Sequence, residues 1–492
     1  PETRVVRLAG RTLVPGFMDP HNHFSLTTFQ PVSVDCSVPP LDSVQGVLDA
    51  VAAAAKDAPR GQWIWGWGFR KLLVKEGRAV TRGEMDEVAP DNPVCIMDGS
   101  CHACYANSPA LELAGIDRNT SDPPHGEILR DGSGEADGTL WEQAMDPVYN
   151  LSFRAHLDLY GGDAADLVRQ NCIRHAALGI TSVGDALVVP EAAELYRLAD
   201  GLNKIPILVH QMHGGDGFFA PPDKASRKAI DTCDVSDRLR GGTMKIFMDP
   251  VFPSPALIHY HADGREDLHG ERYYTQEEVD ALVLNAHRRD LQVAIHCLGT
   301  WSVEQALNAF ERAQKEYRRA DPRFRIEHFS LPTLSQIKRA KSLGVVASVQ
   351  PPFVFTNAGM SEEKARESGG DVRVFPFKTM IDEGLVVSGS SDCPCAPVNP
   401  LLGLYSIVTR RSRAGGDPIV PDEAVTPMEG LRMYTVNAAY AMGREREVGS
   451  LEKGKRADMT VLSHDPTVVD PVFIRDIVVE QTFVDGQAVW ER

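Results

Sequence analysis

Five separate segments of the chain could together supply one metal site: His21 and His23 in PGFMDPHNH, Lys245 in GGTMKIF, His296 in LQVAIHC, His328 in FRIEHF and Asp392 in VVSGSSD. Each segment ends, or has just ended, a short apolar run of the kind that forms a buried parallel strand. In a (β/α)8 barrel the catalytic residues gather at the C-terminal ends of the strands, so ligands distant in sequence become neighbours. The chemistry such a set supports is hydrolysis by metal-activated hydroxide.

The individual residues leave alternatives open. The alternation in His21-Asn22-His23 sends two imidazoles to one side of an extended segment, and imidazole suits zinc or another borderline divalent ion. Lys245 lies in an apolar strand, where a charged ammonium is costly. It either reaches a carboxylate, or it is a neutral amine that can take up carbon dioxide as a carbamate. His296 and His328 read singly as satisfied core histidines and jointly as ligands. Asp392, after a Gly-Ser-Ser turn, can bind metal and accept a proton from water, or can cap a helix.

The elements that must position these groups alternate along the chain. Candidate strands lie at 11–19, 179–185, 206–212, 243–248, 291–297, 324–329, 344–350 and 385–391, and stretches with helical apolar spacing separate most of them. Eight such units without a Gly-rich phosphate turn after the first strand predict an α/β fold built on a closed TIM-like barrel rather than an open doubly wound sheet. The interval between the first two strands, rich in Trp, Pro and Gly, is too long for a loop and reads as an inserted domain over 31–150. The barrel then occupies 12–30 and 151–443. Gly-punctuated short strands over 444–492, joined by residues 1–11, read as a small β-sandwich domain that pairs the chain termini.

Composition narrows the partners. The 492 residues carry 51 basic and 68 acidic side chains, a net charge of −17, which disfavours nucleic acid and favours a small-molecule substrate. No apolar run reaches the roughly 18 to 20 residues that cross a bilayer, and the N-terminal PETRVVRLAG lacks a signal-peptide pattern. Nine cysteines, several in apolar segments, suit reduced thiols. The expectation is a cytoplasmic protein that binds neither nucleic acid nor membrane, with a homodimer as the assembly to test. The spacings of Cys101 and Cys104 and of Cys393 and Cys395 do not match a paired zinc knuckle. The aromatic run 63–69 reads as core of the inserted domain.

Taken together, PGFMDPHNH, CHACYANSPALELAGI, GEILRD, MKIF, RIEHF with SVQPPF, GSSDCP, YTVNAAYAMG and GSLEKGKRADMTVL resemble the amidohydrolase superfamily, in its amidohydrolase family 3 branch with YtcJ-like proteins and N-substituted formamide deformylases. The resemblance covers nearly the whole chain. It implies one or two divalent ions, zinc foremost, with His21 and His23 on a buried metal, carboxylated Lys245 as bridge, His296 and His328 on a more exposed metal, and Asp392 as ligand and proton shuttle. His102 matches a family position that could hold the substrate carbonyl, or is a structural imidazole. Asp392, His296 and His102 are thus the catalytic candidates. The chain departs from the pattern after His296, where Cys297-Leu298-Gly299 replaces the usual Gly-Asp, and at Asp249, which precedes Pro250 rather than Gly. An aspartate usual near Phe69 is absent as well. The activity implied is cleavage of a carbon–nitrogen bond in a small amide-like molecule. A lactone or ester hydrolase, a decarboxylase and a binding protein are the rival readings.

Overall fold

The run 11–19, expected as one strand, is divided at Gly16. The computed structural model describes residues 5–215, 217, 219, 235–251, 254–261 and 263–492. In it Thr12–Pro15 pairs antiparallel with Met459–Leu462, and the first barrel strand starts at Phe17. Gly16 is required at the division because a Cβ there would stand 2.3 Å from Thr181 Oγ1. All eight expected barrel segments contain strands, at Phe17–Asn22 (β1), Ile180–Val188 (β2), Leu208–His213 (β3), Leu239–Phe247 (β4), Gln292–Cys297 (β5), Arg325–His328 (β6), Val346–Val349 (β7) and Val386–Gly389 (β8).

The eight strands lie side by side in chain order, every neighbouring pair parallel. Strands β8 and β1 share no ladder; the segment that follows β8 closes the barrel instead. There Asp392 N–H donates to His21 O and His23 N–H to Cys393 O, each at 2.8 Å, while Ser391 N–H donates to Asp19 Oδ1 at 2.8 Å. The seam thus runs between two of the segments that carry candidate ligands. Outside, three helices are capped by Thr275, Thr333 and Thr426, each closing a reciprocal box with Glu278, Gln336 and Glu429 respectively. Such caps satisfy orphan amides and fix where a helix begins.

Both ends of the chain contribute to a four-stranded antiparallel sheet, Thr12–Pro15, Met459–Leu462, Val479–Val484 and Gln487–Glu491. Residues 5–10 add no strand to it, and Thr3 and Arg4 of the TRVVRLAGR segment lie outside the described residues. Thr460 and Thr482 anchor this sheet by donating to Gly179 O and Ala176 O, at 2.8 and 2.6 Å, just before β2. The long interval after β1 holds a six-stranded sheet in the order Val34–Asp35, Ile64–Phe69, Val94–Asp98, Ala103–Ala106, Ala136–Glu142, Gly126–Arg130. One face has its own core around Val47, Val51, Ile96 and Tyr105. From the other, Trp65 packs on Phe29, Tyr149, Phe153 and His156 within the main core. The aromatic run therefore joins the insert to the barrel.

Three histidines buried in or beside this framework make stability pH-dependent. Burial lowers His210 and His213 to about 3 and His175 to about 4, the His175 carbonyl bond to Asn171 opposing it. They stay neutral in the native state, whereas the unfolded chain takes up protons near pH 6.5. Their stabilisation is complete above that pH and drains away as the pH falls toward 3 to 4. The melting temperature should fall steadily from pH 6.5 to 4, and less steeply in His210→Gln; a flat profile would contradict this assignment.

Candidate metal centre

The barrel delivers the expected residues to one end. His21 is the penultimate residue of β1 and His23 follows its end, so alternation points both rings inward, 5.7 Å apart. Asp392 lies three residues past β8 with a left-handed φ of 56°. Its Oδ1 stands 3.2 Å from His21 Nε2 and 3.1 Å from His23 Nε2. The ligand atoms of His21, His23 and Asp392 all lie within 4.8 Å of one another, and all three residues are buried.

His328 ends β6 and packs its ring 4.9 Å from that of His21 and 4.3 Å from that of His296. His296, on β5, continues the arc toward Phe247 and His102, with ring centroids 5.0 and 5.6 Å away. Lys245 is buried on β4 one layer below, its Nζ 4.7 Å from the Phe247 ring. Burial lowers its amine to about 8, although Glu327 and Asp392 act in the other direction. Burial likewise lowers His23 to about 4 and His328 to about 3. For Asp392 burial acts upward, but His21, His23 and His328 hold the carboxyl well below its ordinary range.

Among the described residues several polar atoms here have no hydrogen-bond partner: Lys245 Nζ, both ring nitrogens of His296, His21 Nε2 and Asp392 Oδ1. The last two approach each other without hydrogen-bond alignment. Orphaned buried polar atoms are rare because each forfeits its hydration. Imidazole nitrogens and a carboxylate oxygen converging with free lone pairs are the donor chemistry of a zinc-type cation.

The surrounding support includes residues that the motif reading passed over. His21 Nδ1 bonds Glu327 Oε2 at 2.6 Å, and Arg325 clamps the same carboxylate from Nε at 2.7 Å and Nη2 at 3.0 Å, both residues fully buried. Burial would raise Glu327; Arg325 and His21 outweigh it and hold the carboxyl far below its usual range. Gln350 Oε1 meets His328 Nδ1 at 2.8 Å. Beside His296 stands Asp249, whose Oδ1 is 3.7 Å from His296 Nε2. Asp249 also accepts from Leu298 N, Gly299 N, Ala256 N and Ser302 Oγ, while burial pushes it up to about 7.

His102 reaches the site from the inserted sheet, next to Ala103–Ala106, and bonds Glu142 Oε2 at 2.7 Å. Among the described residues Cys101, Cys104, Cys393 and Cys395 form no further group of this kind. Cys233 lies outside the described residues. No helix of the described residues is long and apolar enough to cross a membrane.

A parallel eight-stranded barrel that gathers histidines and an aspartate at the C-terminal ends of its strands defines the class of barrel hydrolases. The comparisons with known proteins narrow the class. A family model described as the amidohydrolase family matches residues 4–490. An N-substituted formamide deformylase from Arthrobacter pascens is 40% identical over all of this chain and 91% of its own length. YtcJ of Bacillus subtilis is 28% identical over 100% of this chain and 91% of its own. Among solved structures, an uncharacterised metal-dependent hydrolase from Pyrococcus horikoshii superposes with a TM-score of 0.72 at 22% identity, covering 94% of this chain and 88% of that one, a likeness of fold. The chain belongs to the amidohydrolase family. It is an enzyme, a hydrolase of carbon–nitrogen bonds other than peptide bonds.

Proposed function

We propose that the protein hydrolyses the carbon–nitrogen bond of a small N-acyl amine, N-formyl compounds first among them, at a centre of one or two divalent ions, zinc foremost. The observation that carries this reading is the convergence of His21, His23 and Asp392 ligand atoms within 4.8 Å at the C-terminal ends of the barrel strands. His21 and His23 hold the inner position, His296 and His328 the outer, and Asp392 lies against the inner pair. Lys245, with no hydrogen-bond partner among the described residues and its amine lowered by burial, joins them as a carbamate. Its neutral nitrogen adds to carbon dioxide and loses one proton, which replaces an orphan amine with an anionic two-oxygen ligand.

A cation bound there supplies Lewis acidity, which lowers the pKa of water and polarises a carbonyl. The chain does the rest. Asp392 Oδ1, ionised at neutral pH, accepts the proton of the attacking water and returns it to the departing nitrogen. Glu327 holds His21 by Nδ1 and leaves Nε2 free to ligate, and Gln350 does the same for His328. Asp249 steadies the loop after β5 beside His296. His102 and Phe247 border the substrate side.

The test is metal analysis of the purified protein followed by a screen of N-formyl, N-acyl, urea and cyclic amide substrates. One to two zinc-type ions per chain are expected, with turnover abolished by a chelator and restored by zinc. Amine among the products separates this activity from lactone or ester hydrolysis, which releases alcohol. Full turnover of metal-free protein would overturn the reading.

A further inference from the structure

Glu142 is the last residue of an inserted-sheet strand, yet its side chain joins three parts of the molecule at the rim of the barrel. Its Oε2 accepts from Tyr273 Oη at 2.6 Å and meets His102 Nδ1 at 2.7 Å, and its Oε1 accepts from Val251 N at 3.1 Å. Tyr273 precedes the helix after β4, and Val251 follows β4 itself, the strand of Lys245. The Glu142 backbone holds φ 52° and ψ −128°, an arrangement that residues other than glycine rarely adopt, and its N–H donates to His102 O at 3.0 Å. Strain of this kind persists where the surroundings over-determine it, and it gathers at functional sites.

His102 and Glu142 are both buried, and the His102 ring lies among Phe219, Phe247 and His296 at 5.1, 6.1 and 5.6 Å. Among the described residues Nδ1 is the ring nitrogen with a hydrogen-bond partner. A carboxylate is an acceptor only, so Nδ1 carries the proton and Nε2 is left for the space that His296 borders. A carboxylate that holds Nδ1 in this way fixes both the tautomer and the orientation of the ring.

We propose that Glu142 is a positioning residue that works through His102: with Tyr273 and Val251 it fixes the imidazole so that Nε2, the unprotonated nitrogen, faces the bound substrate as a hydrogen-bond acceptor. The inserted sheet thereby supplies part of the catalytic machinery rather than a cover for it. The assignment rests on the hydrolase reading given above, and its test separates the two.

The experiment compares Glu142→Gln, Tyr273→Phe, His102→Ala and the double variant Glu142→Gln/His102→Ala as zinc-loaded holoenzymes. Wild-type turnover on the N-formyl and N-acyl panel tests the hydrolase reading alone. Histidine nitrogen NMR tests the positioning with no substrate present. The wild-type His102 signal should be that of an Nδ1-protonated ring, and Glu142→Gln should abolish that single state without loss of zinc or of melting temperature. In turnover Glu142→Gln should lower kcat about 10- to 100-fold, the range for residues that orient an active group, with little change in KM. Tyr273→Phe should give a smaller effect of the same kind, and Glu142→Gln should cost nothing further once His102 is alanine. An Nε2-protonated ring in the wild type, an unchanged ring in Glu142→Gln, or an equal loss from Glu142→Gln in the alanine background would overturn the proposal. If no substrate of the panel turns over, the hydrolase reading fails while the NMR signature still decides the role of Glu142.

Discussion

Asp392→Asn is expected to fold, bind metal and lose turnover by about 10²- to 10⁴-fold, the range that general acid–base assistance contributes. Asparagine keeps one oxygen facing His21 Nε2 and His23 Nε2, at the positions that stand 3.2 and 3.1 Å away in the native protein. It cannot accept a proton from water. The main-chain bond from residue 392 to His21 O does not involve the side chain, so the seam between β8 and β1 survives the change. Metal content must be measured on the same sample, because a fall in occupancy would also lower turnover. Near-normal kcat with full metal would remove Asp392 from the proton path, and His102 would become the candidate in its place.

The second large effect is one of stability. Glu327→Ala should destabilise the protein by about 3–5 kcal/mol, the usual consequence of removing one partner from a buried ion pair. The reason is Arg325. Its guanidinium is fully buried, and of its bonds only those to Pro20 O and Ser348 Oγ would remain. His21 would lose its Nδ1 partner in the same step, so metal affinity should fall about 10- to 100-fold. Denaturant midpoints of metal-free protein read the first effect, and zinc titration reads the second. The double variant Glu327→Ala/Arg325→Met should recover much of the stability but not the affinity, because it removes the stranded charge without restoring the hold on His21. If Glu327→Ala unfolded at the wild-type midpoint, the ion pair would have no structural weight.

The relation between sequence and site differs from residue to residue. The barrel was legible because parallel strands buried on both faces must be apolar runs, and eight of them alternate with amphipathic helices. The ligand candidates were legible for a related reason: a histidine, lysine or aspartate that ends such a run is conspicuous. His21, His23, Lys245, His296, His328 and Asp392 are candidates on that ground, at or near the ends of such runs. What periodicity misplaces is Glu327. Strict alternation puts Glu327 and His328 on opposite faces of β6, but His328 adopts a φ of 72°, which turns its ring back to the side that Glu327 already faces. Nothing in FRIEHF announces that turn.

Other features depend on meetings between segments far apart in the chain. Gly16 divides the first expected strand because Thr181, 165 positions later, approaches too closely for a Cβ. Asp249 comes within 3.7 Å of His296 Nε2 because β4 and β5 are neighbours in register, Phe247 beside His296. Glu142 meets His102 because the strands Ala103–Ala106 and Ala136–Glu142 pair antiparallel, and it meets Tyr273 only because the inserted sheet docks on the barrel. The amino-acid sequence by itself determined which elements form and which side chains could hold a metal, since burial and periodicity act locally. The tertiary structure alone decided which carboxylates support those ligands, since a hydrogen bond across 40 to 306 residues exists only once packing has brought its two ends together.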